Sequence, residues 1–116
     1  MTYDNNNIFN KIIKGELSAD KIYEDEKLLA FHDINPVAQI HVLVIPKGKY
    51  LDYSDFITNA TSADIAYYFS KVAEIIKILG VDSGFYRLIT NKGVGAGQTV
   101  MHFHTHIIAG DSLPNF

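Results

Sequence analysis

The stretch that decides the fold is Gln98-Thr99-Val100-Met101-His102-Phe103-His104-Thr105-His106-Ile107-Ile108. Three of the five histidines of the chain stand here at alternate positions. Alternation with a period of two is typical of a β-strand, in which residues i, i+2 and i+4 share one face. The stretch therefore predicts a strand that carries His102, His104 and His106 in a row on one side of a sheet.

This histidine row is compatible with nucleophilic and acid/base chemistry, with metal binding, or with a purely structural ladder. Two residues of an extended strand rise by about 6.8 Å, which puts His102 and His106 about 13.6 Å apart. A zinc ion needs each ligand nitrogen within about 2.1 Å, so all three residues could bind one ion only from a bent strand. One imidazole that attacks while its neighbours orient it and donate protons needs no such convergence, which favours chemistry.

The composition bounds the class of protein. A chain of 116 residues with 47% hydrophobic and 20% charged residues is long enough for one domain with a real core, which we expect to span residues 1–116. The net charge of −3, without a basic block, argues against nucleic acid as a partner, and the absence of cysteine excludes disulfides and thiolate zinc sites. Neither a signal peptide nor an apolar run of about 20 residues is present, which predicts a cytoplasmic protein without membrane contact.

Outward from the histidines, the pattern predicts an α+β fold with an antiparallel sheet of about five strands, one short helix and one long helix. The short helix follows the N-cap residue Asn7, and the long one opens with Thr61-Ser62-Ala63-Asp64 and ends at Gly80. The strands before the histidine row are expected at residues 21–23, 28–32, 39–45 and 85–90, and residues 51–60 are expected to form a loop or short turn. The apolar face of the long helix is expected to comprise Ile65, Phe69, Val72, Ile76 and Leu79.

Two further features have alternative interpretations. Asp33 lies just past a strand end, where its carboxylate can accept hydrogen bonds from sugar hydroxyls or can cap its own turn. The loop of residues 91–97 has three glycines at alternate positions, which can present backbone N–H groups to an anion or can simply connect two strands. It lacks the Lys-Ser/Thr pair of a P-loop, and a strand follows it instead of a helix.

The segment His-Phe-His-Thr-His-Ile-Ile resembles the histidine-triad signature of the HIT superfamily, with Thr105 as a departure at an apolar position. The resemblance extends over nearly the whole chain and is greatest to the Hint branch. It includes the segments Ile8-Phe9-Asn10-Lys11-Ile12-Ile13-Lys14-Gly15-Glu16, Ala30-Phe31-His32-Asp33-Ile34-Asn35-Pro36, His41-Val42-Leu43-Val44-Ile45-Pro46-Lys47 and Gly97-Gln98-Thr99-Val100. Thr99 stands where many Hint proteins have serine.

The resemblance implies a role for each matching position. His104 would be the nucleophile that takes a nucleoside monophosphate, His102 would orient it, His106 would contact the phosphate and the leaving group, and His41 would be a fourth, supporting histidine. Asp33 would hold the ribose hydroxyls. The remaining positions would form an apolar purine slot (Phe9, Ile12, Phe31, His32, Ile34 and Leu43) and a phosphate cradle (Asn91, Gly97, Gln98 and Thr99).

The function that this resemblance implies is hydrolysis of the P–N bond of purine nucleoside phosphoramidates by a homodimer, without a metal or other cofactor. Three alternatives remain open. The chain can be a dinucleoside polyphosphate hydrolase of the Fhit kind, a nucleotide-binding regulatory protein whose catalysis is incidental, or a protein whose histidines bind a metal ion.

Overall fold

The computed structural model describes all 116 residues. Three α-helices and five strands follow one another along the chain, with a single 3₁₀ turn at Val94–Ala96 before the last strand. Their bounds are α1 (Ile8–Ile13), β1 (Lys21–Glu24), β2 (Leu28–His32), β3 (Ile40–Pro46), α2 (Tyr53–Asn59), α3 (Ser62–Ile78), β4 (Tyr86–Ile89) and β5 (Thr105–Ala109). None of the helices is both long and apolar enough to cross a membrane.

The five strands form one antiparallel sheet in the order β1-β2-β3-β5-β4. The predicted hairpin of β1 and β2 is present, and β5 inserts between β3 and β4. The register pairs Leu43 with His106 and His41 with Ile108. The expected α+β class with an antiparallel five-stranded sheet is thereby confirmed.

The alternation of side chains divides the core into two layers on opposite faces of the sheet. One face packs on α2 and α3 through an eleven-residue cluster that includes Val42, Val44 and Ile107. The other face packs on α1 through Phe9 and Ile12. Because Leu43 and His106 alternate with members of the first cluster, they belong to the α1 face. The fourth histidine and the last of the row thus lie on the side of the sheet that the short helix covers.

Helix α2 was not predicted, since residues 51–60 were expected to be a loop. Asp52 caps this helix by accepting a hydrogen bond from the N–H of Asp55. Phe56 is the only buried residue of its seven, so the segment has no periodic apolar pattern to indicate a helix. The cap and one aromatic anchor are sufficient because Phe56 stacks on Phe103, with ring centroids 4.6 Å apart.

Helix α3 has the predicted N-cap, in which Thr61 accepts a hydrogen bond from the N–H of Asp64. Its buried face differs from the predicted one, because Tyr68 and Ile75 are buried while Phe69 is 39% exposed. Tyrosine can be buried here because its hydroxyl hydrogen-bonds the Val44 carbonyl at 2.8 Å and the Thr105 hydroxyl at 2.9 Å. Thr105, which stands where the signature has an apolar residue, therefore has a polar partner in the core, the hydroxyl of Tyr68.

The histidine strand is shorter than predicted, because regular pairing begins only at Thr105. Upstream of that residue the N–H of Phe103 bonds the carbonyl of Tyr50, beyond the end of β3. The faces nevertheless still alternate. Phe103 packs on Phe56, whereas His102 and His104 both face Phe9 of α1. The predicted row on one face is therefore present, although two of its three members precede the strand.

Candidate functional site

A cavity of about 420 Å³ opens between α1 and the sheet, next to the histidine row. Eight residues predicted for the nucleotide pocket line it: Phe9, Ile12, Phe31, His32, Asp33, Ile34, Leu43 and Thr99. Six others complete the wall: Ile8, Leu17, Ser18, Ala19, Asn35 and Val100. The walls formed by Phe9, Ile12, Phe31 and Leu43 are buried, whereas Ile34, at 90% exposure, stands at the rim. An apolar slot with a few polar groups at one end suits a flat aromatic ring attached to a polar moiety.

His102 is fully buried, and both of its ring nitrogens are hydrogen-bonded. Nε2 lies 2.7 Å from the carbonyl oxygen of Pro46, which can only accept, so Nε2 carries the proton. Nδ1 is then the acceptor, and the hydroxyl of Tyr3 donates to it at 2.6 Å. The tautomer of His102 is thus fixed by a backbone carbonyl.

His104 is fixed in the opposite tautomer. Its Nδ1 lies 2.7 Å from the carbonyl oxygen of His102, so Nδ1 carries the proton and Nε2 retains a lone pair. No protein group hydrogen-bonds Nε2. The edge-to-face contact with Phe9, with centroids 5.0 Å apart, holds the plane of the ring. Of the three members of the row, His104 is the one whose geometry presents a free imidazole nucleophile.

His106 is linked to His41, the lone histidine of β3. The N–H of Val37 donates to His41 Nδ1 at 3.1 Å, which leaves the proton of His41 on Nε2. That Nε2 lies 2.8 Å from Nδ1 of His106 and 3.4 Å from Oδ2 of Asp33. His106 Nδ1 therefore accepts, and its Nε2 carries a proton. With the His104 and His106 ring centroids 5.0 Å apart, a nitrogen donor stands beside the nucleophile.

Asp33, His41 and His106 are also the three residues whose ligand atoms come close enough to hold a metal ion, all within 4.8 Å of one another. Two nitrogens bound to one tetrahedral zinc, each about 2.1 Å from the ion, are about 3.4 Å apart. The 2.8 Å between His41 and His106 is instead the length of a hydrogen bond. This trio does not fit a metal site without separating the two rings.

Two residues of the glycine loop that were predicted for the phosphate cradle, Gly97 and Gln98, have their donors bonded within the protein. The side chain of Gln98 is buried and bonds only backbone groups: it accepts from the N–H of Gly93 and donates to the carbonyls of Leu51 and Val100. The N–H of Gly97 donates to the carbonyl of Val94 and is not available to an anion. Both residues therefore shape the loop and present no donor to a phosphate. Gly97 has φ of 94°, a conformation that favours glycine.

The next residue after Gln98 is Thr99, and its donors are free for an anion. The N–H of Thr99 has no partner in the protein, and its exposed side chain lines the cavity. The amide of Asn91 lies across the loop, 3.9 Å from the position that a Cβ on Gly97 would occupy. It does not line the cavity.

Tyr3 contacts the histidine row, and no sequence signal predicts this contact. It is 99 positions away from His102, in a polar N-terminal segment without a motif. Nothing in its neighbourhood indicates a partner, because the bond depends on how α1 folds over the sheet. The six further residues of the cavity wall were also not predicted. Ile8, Asn35 and Val100 adjoin predicted residues, whereas Leu17, Ser18 and Ala19 do not.

Comparison with known proteins identifies the family. The model of the HIT domain matches residues 14–113. The chain belongs to the HIT family. A HIT-like protein from Rickettsia prowazekii (strain Madrid E) is 52% identical over 111 residues, which cover 96% of this chain and 92% of that one.

Two solved structures of HIT proteins share the fold. A histidine triad protein from Clostridium difficile superposes with a TM-score of 0.86 at 38% identity, covering 99% of each chain. A HIT family hydrolase from Clostridium thermocellum superposes with a TM-score of 0.82 at 39% identity, covering 96% of each chain. The HIT resemblance predicted from the triad signature is confirmed at the level of the superfamily.

Burial keeps the histidine row of this HIT protein neutral. It lowers the pKa of His102 to about 4, with the nearby His104 acting in the same direction and the Pro46 carbonyl opposing it. Burial likewise lowers the pKa of His106 to about 4, helped by His104 and His41. The pKa of His104 is also lowered, chiefly by burial. At neutral pH Nε2 of His104 is therefore unprotonated and is able to act as a nucleophile.

We expect the free energy of unfolding to fall as the pH drops from 6.5 to about 4. The unfolded histidines take up protons near pH 6.5, whereas His102 and His106 in the folded protein do so only near pH 4. Their contribution is fully present above pH 6.5 and is lost on acidification, and His102 alone accounts for about 3 kcal/mol. Urea unfolding between pH 7 and pH 4.5 measures the slope, and His102→Gln, which cannot titrate, should flatten it. A parent whose stability stayed level over that range would contradict the prediction.

Proposed function

We propose that this chain hydrolyses purine nucleoside phosphoramidates, as the Hint branch of the HIT family does, through a nucleotide bound covalently to His104. One observation carries the proposal. The Nδ1 proton of His104 is held by a backbone carbonyl, so its Nε2 lone pair is free beside an apolar cavity that ends in a carboxylate. The solved relative from Clostridium thermocellum, a HIT family hydrolase, supports hydrolysis as the class of reaction.

The reaction has two steps. Nε2 of His104 attacks the phosphorus, a bond from this nitrogen to phosphorus forms, and the P–N bond of the substrate breaks, with its electron pair leaving on the amine. Water then attacks the same phosphorus, one of its protons passes to Nε2 of His106, and the electron pair of the bond to His104 returns to Nε2 of His104. The nucleoside monophosphate is released, and the histidine is regenerated. During both steps the Nδ1–H bond to the His102 carbonyl stabilises positive charge on the ring.

Charge on the phosphate oxygens requires donors close to the nucleophile. The Nε2–H of His106 supplies one, because its Nδ1 is occupied by the proton of His41. The free N–H of Thr99 and its hydroxyl group supply others from the loop side. The same proton passes to the departing amine as the P–N bond breaks, while the hydrogen bond from His41 stabilises the His106 ring until the water of the second step returns a proton.

Asp33 has the geometry of a ribose acceptor. One oxygen, Oδ1, accepts the N–H of Asn35 and so caps the turn, while Oδ2 lies 3.4 Å from Nε2 of His41. Both interpretations of this residue, turn cap and sugar acceptor, are thus compatible, since each uses a different oxygen. Because Asp33 lines the same cavity as Phe9 and Phe31, a nucleoside would place its base against the aromatic rings and its sugar at the carboxylate.

The experiment that tests this function measures AMP release from adenosine 5′-phosphoramidate and from diadenosine polyphosphates, side by side. Faster cleavage of the phosphoramidate, unchanged by a chelator, is the expected result. Preference for the polyphosphates would move the chain to the Fhit kind of hydrolase. Tight AMP binding without either reaction would indicate a regulatory nucleotide-binding protein. Activity that a chelator abolishes and added metal restores would indicate a metal site.

Substituting Asp33→Asn should weaken binding of AMP about tenfold, because a charged acceptor of ribose hydroxyls is lost. Binding of inorganic phosphate should change less than twofold. Calorimetric titration with AMP, 2′-deoxy-AMP and phosphate measures this, with the exposed Asp82→Asn as a control of equal charge change. Equal losses of affinity for AMP and for phosphate would show that Asp33 does not bind the ribose.

We also propose that the chain forms a homodimer through β4. This strand is the outer edge of the sheet and exposes Tyr86 and Leu88, next to the exposed Phe85. An edge strand with apolar side chains is a surface that a second copy can cover. Light scattering of the parent and of Leu88→Glu tests the proposal: a dimer that becomes monomeric in the variant supports it, and a monomeric parent overturns it.

A further inference from the structure

Tyr3 reaches the histidine row from the N-terminal segment. Its hydroxyl is 2.6 Å from Nδ1 of His102, and the two rings meet edge to face with centroids 5.7 Å apart. None of the residue roles assigned above by resemblance includes a group from this segment. The bond is therefore a feature of the site that the proposed reaction has not used.

No other group can replace this hydroxyl. Nε2 of His102 already donates to the carbonyl of Pro46, so Nδ1 needs a donor. His102 is 0% exposed, which leaves no access for bulk water at that nitrogen. Burial raises the pKa of Tyr3, so the phenol stays protonated and remains a donor.

The bond also reaches the nucleophile, through the backbone of residue 102. The carbonyl of His102 is the acceptor that holds the Nδ1 proton of His104. Hydrogen bonds at both nitrogens hold the His102 ring in place, and this same residue supplies the carbonyl that bonds His104. We propose that Tyr3 is a positioning residue for His104: its hydroxyl fixes the His102 ring and thereby the carbonyl that sets the attacking tautomer.

The N-terminal segment is folded so as to hold Tyr3 in place. Asp4 accepts hydrogen bonds from the backbone of Asn6 and from both the backbone and the side chain of Asn7. The buried amide of Asn10 donates to the carbonyl of Asn5 and ties the turn to α1. The run of asparagines, which composition alone would make a polar tail, is therefore the anchor of this tyrosine.

Two matched variants test the proposal, which rests on the proposed hydrolysis. Tyr3→Phe keeps the ring and removes the hydroxyl, and Tyr67→Phe removes a hydroxyl that donates at 2.6 Å to Asp25, away from the cavity. Both should lower the melting temperature by a few degrees. Only Tyr3→Phe should lower kcat for adenosine 5′-phosphoramidate, by about tenfold, with KM within twofold of the parent. A Tyr3→Phe enzyme with the kcat of Tyr67→Phe would overturn the proposal.

A second readout does not depend on turnover. Long-range ¹H–¹⁵N spectra report which imidazole nitrogens carry protons. Tyr3→Phe should shift the resonances of His102 Nδ1 and, through the carbonyl, of His104 Nδ1. Unchanged His104 resonances would overturn the positioning role. If the parent cleaved no nucleotide and these shifts were still seen, the proposed function would fail and the positioning role would remain.

Discussion

Replacing His104 with alanine is expected to abolish AMP release from adenosine 5′-phosphoramidate, with kcat lower by about 10⁴-fold or more. The variant loses the only imidazole of the row whose Nε2 has a free lone pair, because Nδ1 of His104 is bound to the His102 carbonyl. His106 cannot take over, since its Nδ1 is bound to His41 and its Nε2 carries a proton. Rapid-quench kinetics with radiolabelled substrate would also show that no label remains on the protein.

AMP binding should survive this change within a few fold, since His104 does not line the cavity that we propose holds the base and sugar. Calorimetric titration with AMP separates a lost nucleophile from a lost fold. A His104→Ala protein that turned over substrate at the parent rate would refute the assignment of the nucleophile. A protein that lost AMP binding and turnover together would show that the ring is needed for the cavity itself.

The largest effect on stability is expected from Phe103→Ala, which should lower the free energy of unfolding by about 3–5 kcal/mol. Phe103 is 1% exposed and stacks on Phe56 at an interplanar angle of 14°, with Tyr68 also in contact. Removing the ring leaves a cavity that α2 and α3 cannot close without moving off the sheet. Urea denaturation measures the loss.

Phe69→Ala is the matched control, because it removes the same ring from a position that is 39% exposed on α3. Phe69→Ala should lower the free energy of unfolding by less than half as much as Phe103→Ala, because less buried apolar surface is lost. Similar losses for the two variants would mean that Phe103 is not the centre of the core that the packing indicates.

The local sequence pattern was sufficient to predict a structural element wherever that element had a periodic apolar pattern or a capping residue. The alternation of His102, Phe103 and His104 predicted the two faces, and Thr61 with Asp64 predicted the start of α3. Most of the cavity wall was also predicted, but only through the resemblance to the HIT family, since no periodicity distinguishes a pocket residue such as Phe31 from a core residue.

The errors arose where a tertiary partner decides what a residue does. Phe56 makes α2 a helix through one contact with Phe103, and Tyr68 is buried because Thr105 and the Val44 carbonyl are within reach of its hydroxyl. Gln98 was expected at the phosphate, yet its amide is fully bonded to backbone groups around the loop. Apart from Gly93 and Val100, which lie near Gln98 in the sequence, these partners are too distant in sequence to be recognised from spacing.

Every proton position in the histidine row follows from main-chain groups: the carbonyl of Pro46, the carbonyl of His102 and the N–H of Val37. Substitution of a side chain in the cavity wall does not remove a main-chain acceptor or donor, and Tyr3, which holds the His102 ring, is not part of that wall. The walls of the cavity on α1 and β2 are therefore free to diverge, in evolution or by engineering, while the reactive nitrogen keeps its lone pair. A site built this way can exchange one ligand for another and retain the same unprotonated nitrogen.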